Sequence, residues 1–259
     1  MTEEALAVLA AEAAAAGLSD PSLRTTARQK GVVDWVTDAD LQAERVIREI
    51  LGRHTPDIPV LGEEGGGDRS LRTAWVVDPL DGTTNFVHGF PYYAVSVGLV
   101  VDGVPEVGVV VDVCRKRTFR ATRGRGGTAD GAPLRVSTVD TLEGALCGTG
   151  FPYDRRQRAA FYLRFVKEVL ERSQGIRRGG AAALDLAHVA AGSLDAYWEF
   201  NLAPWDVVAG IVLVREAGGA VDAIPGHPLL DPAHPVATNG RVHGELIALI
   251  SRILQEEQS

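Results

Sequence analysis

The chain has 259 residues, 46% of them hydrophobic and 23% charged, with a formal net charge of −8 at pH 7. That is an ordinary globular balance able to bury a sizeable core, at a length suited to one large α/β unit or two layers sharing a core. The acidic surplus argues against the non-specific nucleic-acid binding that a basic chain shows.

From the start of the chain, Met-Thr-Glu-Glu lacks the positive segment of a signal peptide, and no apolar run approaches the ~18 residues of a membrane span. A soluble, cytoplasmic protein with no membrane contact is expected. Residues 3–16 are rich in alanine and glutamate and predict a helix ended by Gly17. The polar, basic stretch 24–34 predicts a loop. A second helix is expected over 38–51, where Ala43, Val46, Ile47, Ile50 and Leu51 make one apolar stripe. Trp75-Val76-Val77 predicts a short buried strand that stops at Asp78-Pro79. Ala94–Val101, the turn Asp102-Gly103 and Val107–Val113 predict a hairpin. Thr118–Ala121 is a further strand candidate before the glycine-rich loop Arg123–Gly127. Helices are expected over 155–172, over 180–192 ending at Gly192, and over 206–217 ending at Gly218-Gly219. Cys114 and Cys147 have no CxxC or Cys/His spacing and read as buried, reduced thiols. Helix pairs mixed with hairpins predict a layered α/β sandwich containing antiparallel sheet, one unit over 1–259 with two sub-layers meeting near 140–150.

The densest chemical signal runs from Trp75 to Pro91. Asp78 ends a strand, Pro79 turns the chain, and Asp81 can then face the same space. Gly82, Thr83 and Thr84 would open a short helix whose free N–H groups suit a phosphate. Carboxylates for a hard cation beside donors for an anion form a coherent pair. Asp-Pro and Asp-Gly are also ordinary turn pairs. Glu63-Glu64 follows the apolar run Ile58–Leu61; paired acids there repel unless solvated or neutralised. Asp206 before an apolar run is equally a standard N-cap, with Trp205 beside it a core candidate. Asp40, three residues after Thr37, matches the capping-box spacing. His88 reads as a packing or hydrogen-bonding residue.

Taken together, Val36-Thr37-Asp38-Ala39-Asp40, Gly62-Glu63-Glu64, Trp75 to Pro91 and Trp205-Asp206 through Gly218-Gly219 resemble the inositol monophosphatase family. The loop Arg123–Gly127 and Gly131-Ala132-Pro133-Leu134 also look like its members, and Gly150-Phe151-Pro152-Tyr153-Asp154 looks like the bacterial ones. The resemblance implies an alternating αβαβα sandwich of the inositol monophosphatase/fructose-bisphosphatase type and hydrolysis of a small phosphate monoester with two to three magnesium ions. Glu63, Asp78 and the Leu80 carbonyl would bind one ion. Asp78, Asp81 and Asp206 would bind the second, and a third would lean on Glu63, with Glu64 behind. Gly82 and Thr83 would hold the phosphate, with Asp81 and Asp206 also facing the substrate. Asp40 would hydrogen-bond Thr83, and that pair with Glu63 would orient the attacking water. Gly180 and Ala182 would line the sugar pocket, with Ala181 where a hydroxyl residue is common. Glu199 would accept hydrogen bonds from the polyol; its alternative is an exposed strand-end carboxylate. The resemblance further implies inhibition by lithium and a homodimer.

Myo-inositol 1-phosphate is the expected substrate. Histidinol phosphate, fructose 1,6-bisphosphate and 3′-phosphoadenosine 5′-phosphate are alternatives, because specificity lives in the pocket and not the fold. A partner-binding role in a transcription complex is a further alternative; direct nucleic-acid contact is not expected.

Overall fold

In the computed structural model, which describes residues 1–29 and 35–257, the β-branched stretches of the first half assemble into one seven-stranded sheet. Helix α1 (Glu3–Gly17) comes first, its N-terminus capped by Thr2. A short 3₁₀ turn, Pro21–Thr26, follows, and then β1 (Arg28–Gln29) pairs with β2 (Trp35–Val36). The expected loop over 24–34 therefore contains a small ribbon; residues 30–34 of it lie outside the described residues. Helix α2 (Asp38–His54) starts on a capping box in which Thr37 and Asp40 exchange hydrogen bonds, and it runs past the expected end at 51.

The sheet order is β3 (Val60–Gly62), β4 (Ala74–Asp81), β5 (Ala94–Val101), β6 (Val104–Asp112), β7 (Arg117–Thr122), β8 (Gly127–Ala129) and β9 (Ala132–Pro133). β3 runs parallel to β4, and the other neighbours are antiparallel. The strand expected to stop at Asp78-Pro79 continues to Asp81, with its register broken between Asp78 and Asp81. Pro79 lacks an N–H, so the ladder cannot pass through it unbroken, and the strand bulges where it would otherwise end. Gly82, at φ +93, then turns the chain into the single-turn helix α3 (Thr83–His88).

The second half forms a sheet of five short strands in the order β11 (Gly175–Arg177), β10 (Leu146–Thr149), β12 (Ala196–Trp198), β14 (Pro235–Thr238), β13 (Ala220–Ala223). Helices α4 (Arg155–Leu170), α5 (Ala182–Ala190), α6 (Pro204–Glu216) and α7 (His243–Glu257) complete the chain. Three hydrophobic clusters order the layers. Leu6 and Ile47 of α1 and α2 pack on Trp75, Val97 and Val109 of the first sheet. Leu184 and Ile211 of α5 and α6 fill the space between Val110 and Phe119 of the first sheet and Tyr197 and Ala237 of the second. Phe165 and Ile250 of α4 and α7 cover Trp198 and Val236 on the far side. The result is an αβαβα sandwich.

Helix α6 lies unusually close to the first sheet. Gly98 and Gly108 pair across β5 and β6. A Cβ on Gly98 would come within 2.5 Å of the Val208 side chain, and one on Gly108 within 2.3 Å of the Ala209 carbonyl oxygen. The missing side chains let the start of α6, with Asp206, settle against the strands that end near Asp78 and Asp81.

Candidate active site

The ends of β3 and β4, the start of α6 and the end of β12 open into one cavity of about 620 Å³. Its lining includes Glu63, Asp78, Leu80, Asp81, Gly82, Thr83, Gly180, Ala182, Glu199 and Asp206. All the sequence-predicted residues except Asp40 thus meet on one surface, and Asp40 reaches it through Thr83. Thr83 Oγ1 lies 3.0 Å from Asp40 Oδ1 and 3.1 Å from the Leu80 carbonyl, so its single proton has two competing acceptors.

Three of the acids are held by backbone donors. Asp78 Oδ1 accepts the Leu80 N–H at 3.0 Å. Asp81 accepts the N–H groups of Ala182 and Ala183 at 3.2 and 2.7 Å, and so caps α5 from across the sandwich. Asp206 is not an N-cap, the alternative that its place before an apolar run allowed. Pro204 occupies the first turn, and Asp206, third in the helix, reaches back to accept the Ala203 N–H at 2.7 Å. A fixed proline φ starts the helix two residues early. Trp205 is half-buried: it packs against the Leu61, Val76, Val100 and Val208 cluster, as a core candidate should, and also lines the cavity, with the Arg69 guanidinium 4.8 Å from its ring centroid.

Electrostatics mark the cluster as strained in its charged form. Burial, then the charges of Glu63, Asp81 and Asp206, push the Asp78 carboxyl well above the usual range. Burial, with Asp185 and Glu199 nearby, raises Asp81 to about 8. Burial and the Asp81 charge raise Asp206 to about 8, and burial raises Asp40 to about 6. Among the described residues no three His, Cys, Asp or Glu side chains form a ready-made metal cage. The donor set nevertheless fits a hard cation. It consists of carboxylates and one carbonyl, all oxygen, whose mutual repulsion a divalent ion would relieve.

On the opposite wall, Glu199 directly follows β12 and is 8% exposed, not the exposed carboxylate its alternative required. Tyr197 donates its hydroxyl to Glu199 Oε2, and burial raises the Glu199 carboxyl to about 7. Gly180 sits at φ +88, where a Cβ would lie 2.4 Å from Arg178 Nη1. Asn85 Nδ2 donates to the carbonyls of Tyr92 (2.7 Å) and Gly179 (3.0 Å), tying the 75–91 stretch to this wall.

Sequence reasoning missed several contributors. Arg155 and Arg178 line the cavity. Tyr92 donates to buried Asp185 at 2.6 Å behind the Gly179-Gly180 turn. Glu44 and Arg48 hold the turn that carries Glu63. The only signal for that pair was its spacing, four residues apart and four beyond Asp40, on one face of α2. Two features singled out in the sequence serve elsewhere. The Arg123–Gly127 loop donates the N–H groups of Gly124 and Gly126 to Glu216, away from the cavity. His88 is exposed at the end of α3. Cys147 is buried, whereas Cys114 is only half-buried; both are free.

The description of the inositol monophosphatase family matches residues 1–256. A Pseudomonas aeruginosa protein named Nus factor SuhB is 45% identical over 229 residues, covering 86% of this chain and 84% of that one. A Synechocystis protein named inositol-1-monophosphatase is 46% identical over 216 residues, covering 82% of this chain and 75% of the relative. The solved inositol monophosphatase of Anabaena (Nostoc) superposes with a TM-score of 0.86 at 42% identity, covering 96% of this chain and 95% of that one. Among the described residues no helix is long and apolar enough to cross a membrane.

Proposed function

From the premise that this chain belongs to the inositol monophosphatase family and is a phosphoric monoester hydrolase, we propose that it hydrolyses myo-inositol 1-phosphate with magnesium. One observation supports the reading: a single cavity joins four acids and the Gly82-Thr83 helix start to a buried acid on the opposite wall, Glu199.

Glu63, Asp78 and the Leu80 carbonyl would hold one magnesium, and Asp78, Asp81 and Asp206 a second, with a third leaning on Glu63. Bound there, magnesium supplies positive charge that makes water more acidic and offsets the phosphoryl oxygens. The chain's own residues do the positioning, which is most of what phosphoryl transfer asks of a protein. When Thr83 Oγ1 gives its proton to Asp40, its lone pairs are left to accept from the attacking water. Glu63 takes the same water from the other side. The N–H groups of the first turn of α3 have no intrahelical partner and no side-chain cap at Gly82, so they face phosphoryl oxygens. As the water oxygen bonds to phosphorus, the ester P–O bond breaks; of the water's two protons one stays on the phosphate and the other passes to the leaving alkoxide, giving hydrogen phosphate and the free alcohol. Glu199, its direction fixed by Tyr197, accepts from ring hydroxyls.

The test is phosphate release from a panel of esters, with magnesium and with excess EDTA. Inositol 1-phosphate should lead the panel, lithium should inhibit, and chelation should abolish turnover until millimolar magnesium is restored. Full turnover in EDTA would sink the mechanism. A tenfold preference for histidinol phosphate, fructose 1,6-bisphosphate or 3′-phosphoadenosine 5′-phosphate would replace the substrate. We place the protein in the cytoplasm as a homodimer, which sedimentation would check.

A second reading has its own support, because the P. aeruginosa relative is named a Nus factor. Binding to a transcription complex would make this chain a partner as well as a phosphatase. Retention on immobilised RNA polymerase supports that role; failure to bind at micromolar concentration removes it.

A further inference from the structure

The turn that presents Glu63 is gripped from behind by two side chains of α2 that do not line the cavity. Glu44 is 3% exposed, and its carboxylate accepts the backbone N–H groups of Glu64 at 2.7 Å and Gly65 at 2.8 Å. Arg48, one helical turn later, donates Nε to Glu44 Oε1 at 2.6 Å. Its other nitrogens reach the Val60 carbonyl at 2.9 Å and the Gly66 carbonyl at 2.8 Å. Gly62 N–H closes the turn on the Gly66 carbonyl at 3.1 Å. The glycines are part of the device: a Cβ on Gly62 would lie 2.6 Å, and one on Gly65 2.4 Å, from Glu44 Oε1. The Glu44 carboxylate occupies the space that side chains at those positions would need.

Arg48 is half-buried, and an ion pair so placed contributes little net stability. What this pair provides is a fixed geometry: both Glu44 oxygens and one Arg48 nitrogen bond the turn, another Arg48 nitrogen bonds the strand that leads into it, and Arg48 Nε holds Glu44. Asp40, Glu44 and Arg48 recur at i, i+4 and i+8 along one face of α2. The first touches Thr83 and the other two hold the Glu63 turn.

We propose that Glu44 and Arg48 are positioning residues for phosphate-ester hydrolysis. They lock the 62–66 turn so that Glu63 faces the cavity in register with the Asp40–Thr83 pair, with α2 as the shared ruler. The inference rests on Glu63 belonging to the hydrolytic site.

The test uses the full chain with Glu44→Gln, Arg48→Met, Glu63→Gln and the Glu44→Gln/Glu63→Gln double variant. Phosphate release is measured against magnesium and ester concentration, magnesium binding alone by calorimetry, and amide exchange over 62–66 by mass spectrometry. Glu44→Gln should lower kcat or weaken magnesium binding about 10- to 100-fold, the loss common when a group supporting a ligand is removed. Its KM for the ester should stay within about threefold, and exchange at Glu64 and Gly65 should quicken while β4 and β5 stay protected. The double variant should be no worse than Glu63→Gln alone, within about twofold, because Glu44 acts through Glu63. Multiplicative losses, or wild-type kcat and exchange in Glu44→Gln, overturn the positioning role while leaving Glu63 in place. Full turnover in Glu63→Gln overturns the hydrolytic reading itself, and the inference with it. Should Glu44→Gln not fold, Arg48→Met keeps the carboxylate and must give the same slackened turn and lowered kcat.

Discussion

The two walls of the cavity are built differently. On the first-sheet side, Asp78, Asp81 and the Glu63 turn are pinned by backbone N–H groups or by buried side chains of α2. On the second-sheet side, Tyr197 gives Glu199 its one side-chain hydrogen bond among the described residues, with the charges of Arg178 and Arg155 nearby, and Arg178 and Tyr153 of this wall are exposed. Backbone-held groups cannot move without moving a strand or helix, which suits charges that must meet a transition state. Groups held by one side chain can be exchanged at little cost to the fold, which suits recognition. Substitution on the first wall should therefore harm every ester alike, and substitution on the second should change which ester is preferred.

The largest expected effect tests the first half of that contrast. Asp206→Asn keeps an oxygen to accept the Ala203 N–H, so melting in chelator should barely change. It removes one negative charge from the proposed magnesium site. Turnover should fall at least ~100-fold on inositol 1-phosphate and glycerol 2-phosphate together, a loss common for a removed transition-state contact. Steady-state assays with both esters decide it, and near-normal turnover would return Asp206 to a purely structural role.

A smaller, selective effect is expected from Glu199→Gln. The amide oxygen still accepts from Tyr197, so the wall should keep its shape. One charge-assisted hydrogen bond to a ring hydroxyl is lost, about 1.5–3 kcal/mol or roughly 10- to 150-fold in kcat/KM for inositol 1-phosphate. Glycerol 2-phosphate, too short to engage Glu199 fully, should change much less. Equal losses on both esters would erase the distinction between the walls.

The same contrast explains what the sequence could disclose. The centre of the first sheet was legible because Ala94–Val101 and Val104–Asp112 are long β-branched runs joined by an Asp-Gly turn, whereas its short strands Gly127–Ala129 and Ala132–Pro133 at one edge were not. The second sheet was not, since strands such as Ala196–Trp198 and Gly175–Arg177 have three residues each, too few to show a period. The acids of the first wall stood in contiguous motifs, Gly62-Glu63-Glu64 and Asp78 to Thr84, and could be named in advance. The residues that steady them came from afar. Asp81 finds its donors at Ala182 and Ala183, and Asn85 reaches Gly179, pairings that no local spacing encodes. Asp185 and Tyr92 are likewise distant in sequence, and only folding shows that they share a proton.

That last pair lies on the seam between the walls and gives the smallest and most specific prediction. Asp185, 2% exposed in the first turn of α5, has its carboxyl raised by burial from the ordinary 3.8 to about 8. Between those two pH values the folded chain keeps a proton that the unfolded chain has released. The contribution of Asp185 to stability is therefore whole below about pH 4 and is lost as pH rises through 8. Asp185→Asn retains an acceptor for the Tyr92 hydroxyl and cannot ionise. The variant should match wild type at pH 5 or fall slightly below it, and gain relative to wild type as pH approaches 9. Each pKa unit of difference between folded and unfolded chains is worth about 1.4 kcal/mol. Urea denaturation in EDTA at pH 5, 7 and 9 reads the difference directly. Parallel pH profiles for the two proteins would mean that Asp185 ionises freely in the folded state, and that the seam is wetter than its burial indicates.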